Sequence, residues 1–569
     1  IYVTLDDPLN KEEVLDHFNK TFDFAKSQMG SAQEIALRLT PLKDVYYTHD
    51  TTFDFNPKGH RETNYVLLGI AFLILFIAGI NSTNLTTSLI PLRLKTINTH
   101  RVLGCSIYKL RAISLIESIV ICLISYILAL FIVNDLSYTP IANWVDADIR
   151  LSQYKGLILL TALIAILTGC LAGLYPAIRS SSYAPALVLK GSFGLSPKGK
   201  KLRVALIGFQ YTVSIALIIV TLFMGLQNHF MTSSEQLGFN KDQVAIVNLT
   251  PEIYAKHKPQ YIQKLKDYPG IEDVAFSVYE LSKEDDMIDL EYARHEDKDV
   301  FFKVFYASEN FLSVMDIQVE EGRDFTREDL NKAQSDYIIN PAAERDFHLH
   351  PGDRFNDRTV LGVSKDFRFN SCRIASSPFV FTLNNDIPNP KLVSYIRFNS
   401  KTNLQEAVAH VRETLKEIDP TFPFEISFYN TILNNLYQKE QTLGKLISLF
   451  GIMAILISIV GVFGLVLFET QYRRKEIGIR KINGATTGQI LLMFNKTYIR
   501  IVSVCFIISI PIAWTGTQQW LENFAYKTPL HLWVFIVAFL IILSVTIGTV
   551  TFRNWQAANE NPVNSVKSE

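Results

Sequence analysis

The feature that most constrains this chain is the bunching of its apolar residues into seven separate runs. They lie at about Tyr65–Ile80, Ile113–Ile132, Gly156–Ala177, Val204–Leu226, Leu446–Leu467, Ile499–Trp514 and Leu532–Val550. A hydrocarbon layer of about 30 Å is crossed by roughly 20 apolar residues in a helix. Lipid offers the backbone no hydrogen-bond partner, so each run is predicted to be a transmembrane helix. Pro511 falls inside the sixth run and is expected to kink it, which membrane helices tolerate. The hydrophobic share, 48%, is ordinary for a soluble protein, so distribution rather than amount assigns the class. The formal net charge is zero, which indicates no bulk attraction to nucleic acid, and no such partner is expected.

The connecting loops give an orientation. Pro91–Ala112 carries Arg93, Lys95, Arg101, Lys109 and Arg111 with no acid. Ile178–Arg203 is likewise basic and free of acid, and Glu469–Arg500 holds seven Lys or Arg against Glu469 and Glu476. The alternate short loops, Asn134–Lys155 and Gly516–Leu532, lack this excess. Basic loops face the cytoplasm. The C-terminus is therefore expected there, with residues 1–62 and 227–445 on the other side.

Segment 227–445 reads as an α+β domain. Val244–Leu249, Val300–Phe305, Tyr337–Ile339, Thr359–Val363 and Val393–Phe398 have strand character. Gln260–Leu265 and Leu404–Ile418 have helical periodicity, and Tyr429–Leu446 reads as a helical stalk into the fifth run. In the first segment, Lys11–Met29 reads as a helix and Ile35–Leu39 as a strand. Four of the five cysteines sit in or beside apolar runs, and Cys372 is alone in the polar region, so no disulfide framework is expected.

The chain also repeats itself. Aligning Gly104 with Gly484 (484 − 104 = 380) places Arg93 on Arg473, Lys95 on Lys475, Ile97 on Ile477 and Arg101 on Lys481. Ser182–Lys190 resembles Asn559–Lys567, each after the last of three consecutive apolar runs. The order is thus outer domain, span, basic loop, two spans, basic tail, given twice. The second copy has a leading span at Val204–Leu226 and the first copy shows none. The opening Ile-Tyr-Val-Thr carries no Met and no targeting pattern. Both points lead to the expectation that the numbering begins inside a longer protein.

Arg474–Lys481, Arg-Lys-Glu-Ile-Gly-Ile-Arg-Lys, followed by Gly484-Ala485, resembles the cytoplasmic loop signature of the FtsX/MacB-type permeases of ATP-binding cassette (ABC) systems, in their long two-module form from Gram-negative bacteria. Phe209-Gln210, Leu237-Gly238-Phe239-Asn240, Gly322-Arg323-Asp324-Phe325, Asn340-Pro341-Ala342-Ala343 and Gly362-Val363-Ser364-Lys365-Asp366-Phe367 also match. The resemblance implies an α-helical integral membrane protein of two tandem FtsX modules, with a MacB-like periplasmic core of α+β type. It divides the chain into the end of a first periplasmic domain (1–62), a first three-helix module (63–190), a basic linker (191–203), a leading helix (204–226), a second periplasmic domain (227–445) and a second three-helix module with its tail (446–569).

The resemblance further implies a job. Two cytoplasmic ATPase subunits dock beneath the permease in the inner membrane, and their cycle drives the periplasmic domains. ATP is used by those subunits and no cofactor is bound by this chain. A periplasmic adaptor or outer-membrane exit protein is a further partner, beside membrane lipid. The ATPase-coupling loop is assigned to Arg473, Arg474, Lys475, Glu476, Ile477, Gly478, Arg480, Lys481 and Gly484. A degenerate first loop is assigned to Arg93, Lys95, Ile97, Arg101 and Gly104, with Thr96, Asn98 and His100 standing where Glu476, Gly478 and Arg480 do.

The residues themselves support docking. Glu476 and Arg480 are four apart and share a helix face. Ile477, Ile482 and Ile490 are read as an apolar contact surface, of the kind a helix presents to a partner's groove. No G-x-x-x-x-G-K-[ST] motif occurs, so this chain is not expected to be the enzyme. His348 and His350 flank Leu349 without further ligands evident in the sequence, and no metal site is expected. Two other readings stand beside the permease. One is a signalling or scaffold protein that regulates a periplasmic partner. The other is an ion-driven transporter, disfavoured by the scarcity of ionisable residues within the runs.

Overall fold

Seven helices among the described residues are long and apolar enough to cross a membrane. The structure, a computed structural model, describes residues 3–5, 11–21, 39–47, 61–140, 142, 150–182, 197–233, 237–282, 289–296, 298–332, 334–383 and 392–559. Residues 1–69 form one unit and 70–569 another. The first unit contains helices α1 (Lys11–Thr21) and α2 (Leu42–Val45) and the start of α3 (Arg61–Val102). The expected strand at Ile35–Leu39 falls almost wholly outside the described residues, as does the end of the expected helix Lys11–Met29.

The remaining membrane helices are α4 (Ile107–Leu136), α5 (Lys155–Ser181) and α6 (Pro197–Thr232), then, beyond the sheet domain, α12 (Gln438–Tyr472), α14 (Thr487–Leu521) and α15 (Leu532–Ala558). Pro511 is accommodated inside the unbroken α14. Small residues set the helix approach, as expected where lipid removes the hydrophobic drive to associate. A Cβ at Gly169 or Gly173 of α5 would press on Ile119 and Ser118 of α4. In the second module α6 is enclosed by α12, α14 and α15. Ile207, Tyr211, Ile215 and Ile218 of α6 share one core with Val462, Leu465, Val466, Ile477, Phe494 and Tyr498. Polar links pin that core: Ser214 Oγ lies 3.0 Å from Ser458 Oγ, and Tyr211 Oη 3.0 Å from Thr546 Oγ1. The two modules meet where Asn81 Nδ2 of α3 donates to the Ile457 carbonyl of α12 (3.1 Å) and Leu85 fits against Gly464. At the first-module positions matching the α6-facing residues, Leu85, Thr86, Ser114 and Ser118 line a cavity of about 540 Å³.

Between α6 and α12 lies the sheet domain. Its elements in order are β1 (Val244–Leu249), α7 (Lys258–Lys266), β2 (Ile271–Ser277), β3 (Asp289–His295), β4 (Lys298–Ala307), α8 (Phe311–Met315), β5 (Val319–Gly322), β6 (Tyr337–Ile339), α9 (Pro341–Phe347), β7 (Arg354–Phe355), β8 (Arg358–Ser364), β9 (Phe379–Leu383), β10 (Leu392–Phe398), α10 (Leu404–Ile418), β11 (Ile426–Phe428) and α11 (Tyr429–Leu436). The strands run β11-β1-β10-β2-β4-β9-β6-β8-β5, with β3 on β4 and β7 on β8. Most pairs are antiparallel, but β4 with β9 and β6 with β8 are parallel.

Period-two alternation builds two cores. Val244 and Ile246 of β1 and Val393 and Tyr395 of β10 face one side with α8 and α11. Ala245, Val247, Ile396 and Phe398 face the other, under Tyr261 and Leu265 of α7 and Val411 and Leu415 of α10. The sequence reading missed β2, β3, β5, β7, β9 and β11. The expected stalk is two helices, because α11 ends at Leu436 and α12 starts at Gln438.

One buried acid holds the chain reversal after β5. Asp329, 2% exposed, accepts a two-pronged ion pair from Arg323 (2.7 and 2.8 Å), a bond from Lys332, and the Thr326 N–H and hydroxyl. Arg323 above all holds its carboxyl far below the usual range. A depressed native pKa gives stability that is present above the unfolded value near pH 4 and is lost as pH falls below it. Asp329→Asn is therefore expected to cost about 2 kcal/mol at pH 7, discounted because Arg323 is half-exposed, and to flatten the acid limb below about pH 4. Thermal unfolding at pH 7 and pH 3.5 reads both effects.

Candidate coupling sites

Both basic loops close in the same turn. Gly104 and Gly484 have φ of +90° and +87°, a conformation that glycine adopts without a Cβ penalty. Gly484 N–H donates to Lys481 O and Ala485 N–H to Arg480 O. The equivalent Gly104 N–H donates to Arg101 O and Cys105 N–H to His100 O. The next helix is then capped alike, Thr486 Oγ1 accepting from Gln489 N–H and Ser106 Oγ from Lys109 N–H. The repeat therefore extends to individual backbone hydrogen bonds.

Ahead of that turn the copies differ. The first loop residues Arg93, Lys95, Ile97 and Arg101 lie in the last turns of α3, which runs unbroken to Val102. In the second copy α12 stops at Tyr472, Arg473 breaks the helix, and α13 (Arg474–Ile482) follows as a separate short helix. Arg473 turns inward, with its guanidinium 5.7 Å from the Phe494 ring and 3.9 Å from Glu469. Arg474 and Lys475 occupy the first turn of α13, Gly478 is buried, and Lys481 is half-buried. Glu476 and Arg480 form the expected pair at 2.7 Å. In the first copy Arg93 pairs instead with Glu117 of α4 at 2.7 Å, and Arg101 donates to Ser181 O.

The apolar surface needs correction. Ile477 (4% exposed), on the face of α13 that turns inward after the break at Arg473, and Ile490 (2%), in the first turn of α14, are both buried in the module core. Ile479 and Ile482, at 55% and 64% exposed, are the outward residues. The sequence marks these isoleucines as apolar, but not which of them the module core already covers.

A second constellation lies at the opposite end of α12, and the sequence reading missed it. Loop 366–376 of the sheet domain knots onto the ends of the membrane helices. Arg373 Nε donates to Glu440 Oε1 of α12 at 2.7 Å, with Glu440 9% exposed, and the guanidinium stands 4.7 Å from the Phe524 ring in the α14–α15 loop. Arg368 stacks over Tyr526 at 4.2 Å and lies 5.1 Å from Phe230 of α6. Tyr526 N–H donates to Cys372 O, Ser376 N–H to Tyr526 Oη, and Cys372 N–H to Tyr437 Oη. Burial pushes the Cys372 thiol up, so it stays protonated and accepts a bond from the Tyr437 hydroxyl. Gln227 of α6 bridges Tyr526 O and Thr528 N–H.

The quoted motifs of the sheet domain serve this joint. A Cβ on Gly238 (φ +76°) would collide with Asp366 O, so only glycine lets the 237–240 turn lie on the 362–367 strand end. Asn340 Oδ1 caps α9 at Ala343 N–H and also accepts from Phe379 N–H, while its Nδ2 donates to Ser376 and Ser377.

Two stretches, residues 68–185 and 448–562, match the family described as FtsX-like permease C-terminal. They coincide with the two copies that share the turn. Both copies are FtsX-like permease modules. Macrolide export ATP-binding/permease protein MacB of Aggregatibacter actinomycetemcomitans is 25% identical over 212 residues, covering 35% of this chain and 32% of the relative. MacB of Sodalis glossinidius is 23% identical over 297 residues, covering 48% and 45%. The permease chain thus spans less than half the length of these relatives. Similar solved structures include the periplasmic region of MacB from Actinobacillus actinomycetemcomitans (14% identical, 36% of this chain and 97% of that one, TM-score 0.27). Another is the extracellular domain of the noncanonic ABC-type transporter YknZ from Gram-positive bacteria (15%, 32% and 99%, TM-score 0.25). The permease is a multi-pass membrane protein whose sheet domain separates its first four described spans from the last three.

Proposed function

We propose that this permease is the non-catalytic membrane subunit of an ABC export or mechanotransmission complex. Separate ATPase subunits hydrolyse ATP beneath the inner membrane and dock on the α13 turn, with a weaker or different contact at the Arg93–Gly104 turn. The C-terminus is cytoplasmic and the sheet domain periplasmic, where an adaptor or exit protein meets it. One observation carries this reading: α12 is a single helix that joins both constellations. Its 35 residues span about 52 Å, with the Arg473–α13 break at one end and the Glu440–Arg373 pin near the other. A displacement at α13 is delivered along a stiff rod to the sheet domain, without cargo passing between the helices.

Reversing the exposed pair by Glu476→Lys with Arg480→Glu tests the docking half. The double variant is expected to lose most ATPase subunit on co-purification while the permease is still inserted. If docking and coupled activity survived intact, α13 would not be the coupling element.

A further inference from the structure

The fold gathers three metal-ligating side chains that the sequence keeps apart. Glu321 comes from β5, Glu344 from the first turn of α9, and His350 from the segment after it. One ligand atom from each lies within 4.8 Å of the other two. Some point is therefore no more than about 2.8 Å from all three, against metal–ligand distances of about 2.0–2.2 Å for zinc. Side-chain rotation of under about 1 Å closes that difference.

Backbone geometry fixes where each side chain starts, and Glu321 and His350 are exposed at the surface. His348 takes φ +53°, which reverses the chain at the end of α9 and lets Leu349 N–H donate to Glu344 O. Leu349 is buried as an anchor, and His350 N–H donates to Asp353 Oδ2 at 2.8 Å. Glu321 is held by the pairing of β5 with β8. The electrostatics are uncompensated. The two carboxylates converge with no Lys or Arg partner among the described residues, and Glu344 has only the His350 ring, with Nδ1 3.6 Å away. At this separation in water two like charges repel by about 1 kcal/mol, which a cation between them would relieve. An imidazole with two carboxylates is a donor set suited to a borderline divalent ion rather than to a hard ion that takes oxygen alone.

The geometry points to a divalent transition-metal site, of the zinc class, formed by Glu321, Glu344 and His350, with water completing the coordination. A bound ion would tie β5, the last strand of the sheet path, to α9. Ala343 and Phe347 of α9 and Val363 of β8 share one buried core beneath it.

The test is zinc binding to the purified full chain, without a histidine tag, by competition with a chromophoric chelator. One tight site per chain is expected. His350→Ala and Glu344→Gln, which each remove a direct ligand, should each weaken it at least about 100-fold, the upper end of the loss typical for an outer-shell partner, and Glu320→Gln, a neighbouring carboxylate outside the trio, should leave it unchanged. Zinc should also slow hydrogen exchange in β5 and α9 of the native chain but not of the His350→Ala variant. Equal affinity in native, His350→Ala and Glu344→Gln chains, or protection confined to other elements, would overturn the proposal. Neither readout depends on ATPase coupling, so the site stands or falls apart from the permease reading.

Discussion

Replacing Ile479 and Ile482 together by Asp is expected to reduce capture of the ATPase at least about 100-fold while the permease folds and inserts normally. The two side chains are more than half exposed in the free chain, so their loss costs little stability. Once covered by a partner's groove they act as anchors, each worth about 2 kcal/mol or more, and a charge there would be buried without a counter-ion. Ile477→Asp is the contrasting variant. That side chain is buried among α6 and α14 residues, so the module itself should fail, with loss of detergent-extractable protein rather than loss of docking alone. The first-module equivalents, Thr99→Asp with Val102→Asp, should reduce capture far less, because α3 presents no separate docking helix there. Co-purification at a fixed permease concentration distinguishes the three cases.

The second large effect is expected at the opposite end of α12. Arg373→Ala leaves the nearly buried Glu440 carboxylate without its partner and removes the guanidinium from the Phe524 ring. An unpaired buried charge costs several kcal/mol. Arg373 is about a third exposed, which lowers the figure to about 2 kcal/mol. Hydrogen exchange should rise in loop 366–376 and in the first turns of α12, while the β1–β10 core stays protected. The functional signature is the separation of two measurements: the ATPase should still co-purify, but its activity should no longer respond to the permease. Exchanging the charges, Arg373→Glu with Glu440→Arg, should recover part of the protection. If Arg373→Ala left both exchange and coupled activity unchanged, the pin would be structural ornament on a joint held elsewhere.

These two ends of one helix were unequally legible. Arg473–Gly484 stood out because its pattern is local: basic residues beside an apolar run, a Glu and Arg four apart, and a glycine after a helix. Backbone sterics make Gly104 and Gly484 take the same turn wherever that string occurs. The Arg373–Glu440 joint offered no such signal. Its members are spread over loop 366–376, the end of α6, the start of α12 and the α14–α15 loop, and each reads alone as an ordinary loop or interfacial residue. The same holds for Glu321, Glu344 and His350, where neighbouring His348 and His350 drew attention and the carboxylates did not.

The strands divide likewise. Val393–Phe398 and Val244–Leu249 alternate over whole strands that two cores cover, so their period shows. β2, β5 and β9 are short, bulged or buried on both faces, and β3 leaves Leu290 and Tyr292 exposed. A buried strand with no polar face has no period to read.

Membrane class, seven spans, the internal repeat and the FtsX-like character of its two copies were determined by the sequence itself, because each rests on composition over a continuous stretch or on similarity at a constant offset. Which isoleucines of α13 face outward, how the sheet domain is pinned to the membrane helices, and which carboxylates meet His350 were decided only by the tertiary structure. Those facts depend on which face of an element is already covered by residues distant in the chain, and no local pattern carries that information.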